Sequence, residues 1–157
     1  PDMQAGWEQM CSSVMAGLSG LNMVYEAAGM HASLLGFCHE SLILGDDLIG
    51  QSMRCVRGIE VNDETLALDQ IADVCLNGPG HYLGTDQTLG RMQSDHVYPQ
   101  LGDRTSPKEW AEIGKPVLTE KATKIKEDIL SKPSEVAFDP TLDANLRKKY
   151  KIHLNMN

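Results

Sequence analysis

Helix signals outnumber strand signals so heavily in this 157-residue chain that it cannot close a sheet of its own. One segment, Leu21-Asn22-Met23-Val24-Tyr25-Glu26, bounded by Gly20 and Gly29, reads as a short strand, and all strand signal lies before residue 90. Ahead of it, Trp7, Met10, Cys11, Val14 and Leu18 recur at helical spacing and predict a helix over 4–18 with one apolar stripe. Its other side, Ala5, Gly6, Ser12, Ser13 and Ala16, is small enough for close packing on both sides. A longer helix is expected over 36–57, with Leu42, Ile43, Leu44, Leu48, Ile49, Met53 and Val56 spread around its circumference, so it should be largely buried. Uncovered, that circumference would leave a large apolar surface wet, which implies contact with another copy of the chain or with further parts of the same one.

Local end signals place the remaining helices. Asn62 followed by Asp63 and Glu64 reads as an N-cap with acid in the first turn, and Asn77-Gly78-Pro79-Gly80 as the stop of that helix. Ser106-Pro107-Lys108-Glu109 combines a Ser cap, Pro at the first helical position and Glu three residues on. Leu118, Ala122, Ile125 and Ile129 mark a helix after Pro116 that Lys132-Pro133 ends, and Asp139-Pro140 opens the last one. Periodicity alone therefore gives an α-rich globular chain.

Charge and cysteine usage narrow the partners. Residues 1–105 carry four basic and 14 acidic side chains, and every lysine lies after Ser106. An acidic body lacks the clustered Lys and Arg that a phosphate backbone demands, so nucleic acid is excluded as a partner. No stretch supplies the roughly 20 apolar residues of a spanning helix, so no membrane partner is expected. Cys11, Cys38, Cys55 and Cys75 form no Cys-x-x-Cys pair, and no metal site is expected; they read as reduced, buried thiols of a cytoplasmic protein. The start, Pro1-Asp2-Met3, has neither an initiator Met nor a basic leader and reads as a piece of something longer.

Four segments carry a resemblance: Pro1 to Glu8 (PDMQAGWE), Gly20 to Tyr25 (GLNMVY), Arg57 to Asp69 (RGIEVNDETLALD) and Gly80 to Leu89 (GHYLGTDQTL). In this order and spacing the chain resembles the C-terminal part of the trimethylamine methyltransferase family, closely over 1–105 and more weakly through the Lys-rich tail. The resemblance implies an α-rich C-terminal part of an α/β (β/α)8 TIM-type barrel. Residues 1–60 would be its last helix-strand-helix portion, 61–105 a helix and a Gly-His closing segment, and 106–157 a helical extension. It further implies methyl transfer from a methylamine or quaternary amine, of trimethylamine or betaine type, to the cobalt of a corrinoid (cobalamin) held by a separate corrinoid protein. No cofactor would be bound by this chain directly. Family members acting on trimethylamine carry pyrrolysine and betaine-type ones lack it; the corresponding position would precede Pro1, so both donors stay open.

The candidate site residues follow from that frame. Tyr25 and Glu26 close the expected strand at its C-terminal end, where barrel enzymes place their chemistry. His31 follows in the next loop, at a point where the family commonly has an acidic residue. His81, the catalytic candidate, and Tyr82, a substrate-binding candidate with Tyr25, Glu26 and His31, stand between Gly80 and Gly84, a backbone shaped around an imidazole that is as compatible with a structural histidine as with an active-site one. Glu40, Asp47 and Arg54 recur every seven residues with Gln51 between them, a polar stripe that is either an exposed face or the electrostatics of a pocket or partner surface. A non-catalytic helical protein-protein interaction module is the alternative reading of the same helices.

Overall fold

Which face of the first helix turns inward is decided by side-chain size. The structure, a computed structural model, describes residues 2–133 and 139–153. Helix α1 (Met3–Leu18) starts at Asp2, whose carboxylate accepts the Ala5 N–H at 3.0 Å. It lies against helix α2 (His39–Arg57) through Gln9, Met10 and Gly17. A Cβ on Gly17 would overlap Val56, Ser52 Oγ donates to Met10 Sδ at 3.2 Å, and a Cβ on Gly45 would stand 2.6 Å from Gln9 Nε2. The expected apolar stripe is split as a result: Met10 and Val14 are half-buried, whereas Trp7 and Leu18 remain 56% and 63% exposed. Gly17 lets the two helix backbones approach where a larger side chain would overlap Val56, so the contact forms around Met10 and Gly17 and not around Trp7.

The strand expected over 21–26 is not formed. Those residues run as coil and turn, and Glu26 adopts a left-handed φ of 58° that no strand accommodates. A strand needs a ladder partner. Among the described residues the sole ladder is the two-residue hairpin of β1 (Met30–His31) and β2 (Gly36–Phe37), antiparallel with Met30 opposite Phe37 and His31 opposite Gly36. This hairpin takes Gly36 and Phe37 out of the long helix, which begins three residues later than expected with Cys38 as its N-cap; Ser41 N–H reaches Cys38 Sγ at 3.5 Å. Nor is α2 largely buried, since only Ser41, Gly45 and Ser52 are enclosed while Met53 is 58% exposed.

The helix expected from Asn62 is two. Asn62 and Thr65 form a reciprocal capping box for α3 (Asp63–Leu66), Ala67 turns left-handed at φ 50°, and α4 (Leu68–Leu76) continues to Asn77. Thr85 caps α5 (Asp86–Ser94), and the Ser106/Glu109 box starts α6 (Pro107–Glu112) as its sequence demands. Helix α7 (Leu118–Ser131) follows Pro116. Among the described residues the buried hydrophobic side chains are Val74, Leu101 and Ala122. The four cysteines are free, but the expected burial is overturned: Cys11, Cys55 and Cys75 are exposed and Cys38 is half-buried.

The chain divides into two units, residues 1–126 and 127–157. The second contains the end of α7 and α8 (Pro140–Lys149), capped by Asp139 and braced by an Arg147–Asp143 pair at 2.7 Å. Among the described residues no helix is long and apolar enough to cross a membrane.

Candidate functional site

The loop between α1 and the hairpin is built to be held, not to move freely. Gln9 Nε2 donates to the Ala27 carbonyl at 2.8 Å, and Gly45 presents bare backbone to Ala28, whose Cβ lies 2.5 Å from where a Gly45 Cβ would sit. At buried Gly29 the φ of +82° and the approach of Phe37 leave no room for a side chain, and the Gly29 carbonyl accepts the Cys38 N–H at 2.9 Å. Pinned at both ends, residues 24–34 line one wall of a concavity of about 1390 Å³ in the first unit. Its other walls come from α1, from Ser41, Asp47, Leu48 and Gln51 of α2, and from Leu101 and Leu118.

Four sequence-predicted residues line that concavity: Tyr25, Glu26 and His31 on its loop wall, and Asp47 on α2. Tyr25 is 76% exposed and Glu26 is held in its left-handed turn, so both present their side chains at an accessible wall. His31 is anchored, with Nε2 and Ser41 Oγ 2.7 Å apart. The hairpin loop beyond it carries Ala32, Ser33 and Leu34 with φ of 51°, 52° and 69°, a run of left-handed non-glycine residues that the surrounding fold must enforce.

The polar stripe of α2 is used by the chain itself. Asp47 lines the concavity, but its two oxygens accept the backbone N–H groups of Gln100 at 2.9 Å and Leu101 at 3.3 Å. Glu40 stands outside it and pairs with Lys126 at 2.6 Å while accepting the Thr123 hydroxyl at 3.3 Å. The Lys126 ammonium, donating to the carboxylate, lowers the Glu40 carboxyl to about 2. Arg54 and Arg57 donate to the Asp95 and Ser94 carbonyls at 2.8 and 2.6 Å, supplying cationic donors to the C-terminal end of α5.

His81 and Tyr82 lie elsewhere, on the turn between α4 and α5, and neither lines the concavity. Gly80 and Gly84 have φ of +72° and +83°, as the glycine frame requires, and Thr85 N–H closes the turn onto the Tyr82 carbonyl at 3.2 Å. The Tyr82 hydroxyl sits 3.5 Å from Cys75 Sγ, a contact that raises its pKa. His81 is exposed and makes no hydrogen bond or ion pair among the described residues. Gln9, Ser41 and Gly45 were not singled out by the sequence. Gly45 alone carried a signal, as a glycine inside a long apolar helix, where it costs stability unless a neighbour needs the space.

Against known proteins, the family description "Trimethylamine methyltransferase (MTTB)" matches residues 1–153. The chain belongs to the trimethylamine methyltransferase family. Glycine betaine methyltransferase of Desulfitobacterium hafniense strain Y51 is 30% identical over 147 residues, covering 93% of this chain and 30% of that protein. Trimethylamine methyltransferase MttB2 of Methanosarcina mazei is 34% identical over 149 residues, 94% of this chain and 28% of its own. Trimethylamine methyltransferase MttB of Methanosarcina barkeri is 32% identical over 140 residues, 88% and 27%. The chain thus spans less than a third of the length of these relatives of the family.

Proposed function

We propose that this chain is the C-terminal portion of a (β/α)8-barrel methyltransferase that moves a methyl group from an amine to the cobalt of a corrinoid carried by a partner protein. The observation that carries the reading is the meeting of Tyr25, Glu26 and His31 on one wall of the concavity in a chain of this family. The donor would react as an ammonium, quaternary or protonated, so that nitrogen leaves as a neutral amine with the electron pair of the broken C–N bond, and the corrinoid partner would supply the reduced cobalt that receives the carbon. The protein then has to position the donor and balance its charge. An aromatic face and a carboxylate are the groups that suit a methylated ammonium: Tyr25 supplies the first and Glu26 the second. His31 adds a directional hydrogen-bonding group beside them. Either donor named for the relatives, trimethylamine or glycine betaine, fits these residues.

The concavity also exceeds the roughly 300–1,000 Å³ of ordinary small-ligand sites, which supports the entry of a second, bulkier reactant beside the amine. Trp7, Met15 and Leu18, exposed on the outer side of α1, favour a protein cover there, either the rest of the barrel or another copy of the chain. Free thiols at all four cysteines suit a reducing, cytosolic setting.

The test is methyl transfer by the complete enzyme, supplied with trimethylamine or glycine betaine and a corrinoid protein in its reduced state, followed by the visible spectrum of the methylated corrinoid. Transfer from at least one donor, reduced about 10²-fold or more in Glu26→Gln, is expected. No transfer from either donor would refute the reading.

A further inference from the structure

Ser41 is one of two buried polar residues among those described, at 6% exposure, and its hydroxyl has a single hydrogen-bond partner there: His31 Nε2 at 2.7 Å. The other, Ser52, is differently satisfied, since its hydroxyl reaches both Met10 Sδ and the Leu48 carbonyl. The contrast fixes the direction of the Ser41 bond. If Nε2 carried the proton and donated to Ser41, the buried hydroxyl hydrogen would have no acceptor among the described residues, an arrangement that folded proteins avoid. With the hydroxyl donating to Nε2, the buried hydroxyl is satisfied and the ring proton sits on Nδ1, on the exposed ring. Ser41 is itself fixed, in the first turn of α2 with its N–H on Cys38 Sγ, and both Ser41 and His31 line the concavity.

We propose that Ser41 is a positioning residue that locks His31 in its Nδ1–H form at the wall of the concavity. His31 is thereby presented as a donor of fixed orientation rather than as a ring free to exchange tautomers. This rests on reading the concavity as the amine site, and its consequence is for catalysis through His31, not for the fold.

Two measurements test it separately. Long-range proton–nitrogen correlations of the His31 ring, recorded about two units above the ordinary imidazole pKa, should show Nδ1 protonated and Nε2 as the acceptor nitrogen. Ser41→Thr and Ser52→Ala should keep that signature, and Ser41→Ala should lose it. Protonation at Nε2 in the unmodified chain, or a signature unaltered by Ser41→Ala, would overturn the proposal whatever the enzyme does. In the complete enzyme, Ser41→Ala should lower kcat/KM for the amine donor about tenfold or more, the scale on which outer hydrogen-bond partners of functional imidazoles act, and Ser41→Thr should restore it. The Ser52→Ala control should match the unmodified enzyme. Normal turnover by His31→Ala would overturn the reading of the concavity, and the positioning role with it.

Discussion

Substituting Gly45 by Ala tests the packing that presents Tyr25 and Glu26, because the same change five residues along the helix supplies its own reference. In a helix interior, Gly→Ala gains about 1 kcal/mol from backbone entropy. At Gly50, also within α2, an added Cβ meets nothing within 4 Å, so Gly50→Ala should show that gain unopposed. At Gly45 the Cβ would sit 2.5 Å from Ala28 Cβ, 2.6 Å from Gln9 Nε2 and 3.3 Å from Ala28 Cα. The Gln9 amide could swing away only by releasing the Ala27 carbonyl, and the Ala28 contacts involve backbone and Cβ, which no rotamer change relieves. Overpacking of this kind costs about 1–3 kcal/mol, which cancels or exceeds the helix gain. Gly45→Ala should therefore lie about 1–3 kcal/mol below Gly50→Ala. At this chain length that corresponds to a gap of about 2–4 °C in thermal midpoint for each kcal/mol, read by circular dichroism. In the complete enzyme the displaced loop should also raise KM for the amine. Equal stabilisation by the two substitutions would show that Ala28 does not rest on α2 as described.

Asp47→Asn replaces one oxygen by an amide that opposes a backbone N–H; the loss of charge-assisted bonds, worth about 1.5–3 kcal/mol, should speed hydrogen exchange at Gln100 and Leu101 roughly tenfold or more, with unchanged rates arguing against the clamp. Glu40 is held at about 2 against its ordinary 4.5 by the Lys126 hydrogen bond. A lowered folded value contributes stability that is complete above 4.5 and lost as pH falls through about 2, so acid should loosen this pair over that window; Lys126→Ala should bring the Glu40 titration, followed by carbon NMR, back toward 4.5. His81→Ala should leave methyl transfer within a few-fold of the unmodified enzyme while Glu26→Gln lowers it about 10²-fold; the reverse order would move the site to the turn between α4 and α5.

What the sequence made legible is the chemistry that acts within four residues. The caps at Asn62, Ser106 and Asp139 lie where their side chains can reach the first free N–H groups of a helix, and each was readable without knowing the rest of the fold. The strand over 21–26 failed because a strand is a relation between segments, and its propensity says nothing about whether a ladder partner stands beside it. The hairpin at 30–37 went unread for the opposite reason: its left-handed loop is Ala32-Ser33-Leu34, with none of the Gly or Asn that advertise such turns. On α1 the apolar stripe was real, yet burial followed the close approach that Gly17 allows.

The candidate site divides along the same line. Residue types suited to an amine were visible in Tyr25, Glu26 and His31, which fall within seven positions and meet at one wall because a pinned loop carries them. His81 lies fifty positions further on, and sequence distance holds no information about whether such a residue returns to the same place. The stripe of Glu40, Asp47 and Arg54 shows how a correct pattern can carry an incomplete meaning. Its seven-residue period said that one side of α2 is polar, and two meanings were open: solvent, or a pocket or partner surface. Each member receives a different later segment of this chain, and Asp47 lines the concavity as well: Lys126 and Thr123 on Glu40, the Gln100 and Leu101 amides on Asp47, the Asp95 carbonyl on Arg54. The helix is a spine with fixed charged positions onto which backbone groups and α7 dock, so neutralising any one of them should release its own segment and leave the other two in place.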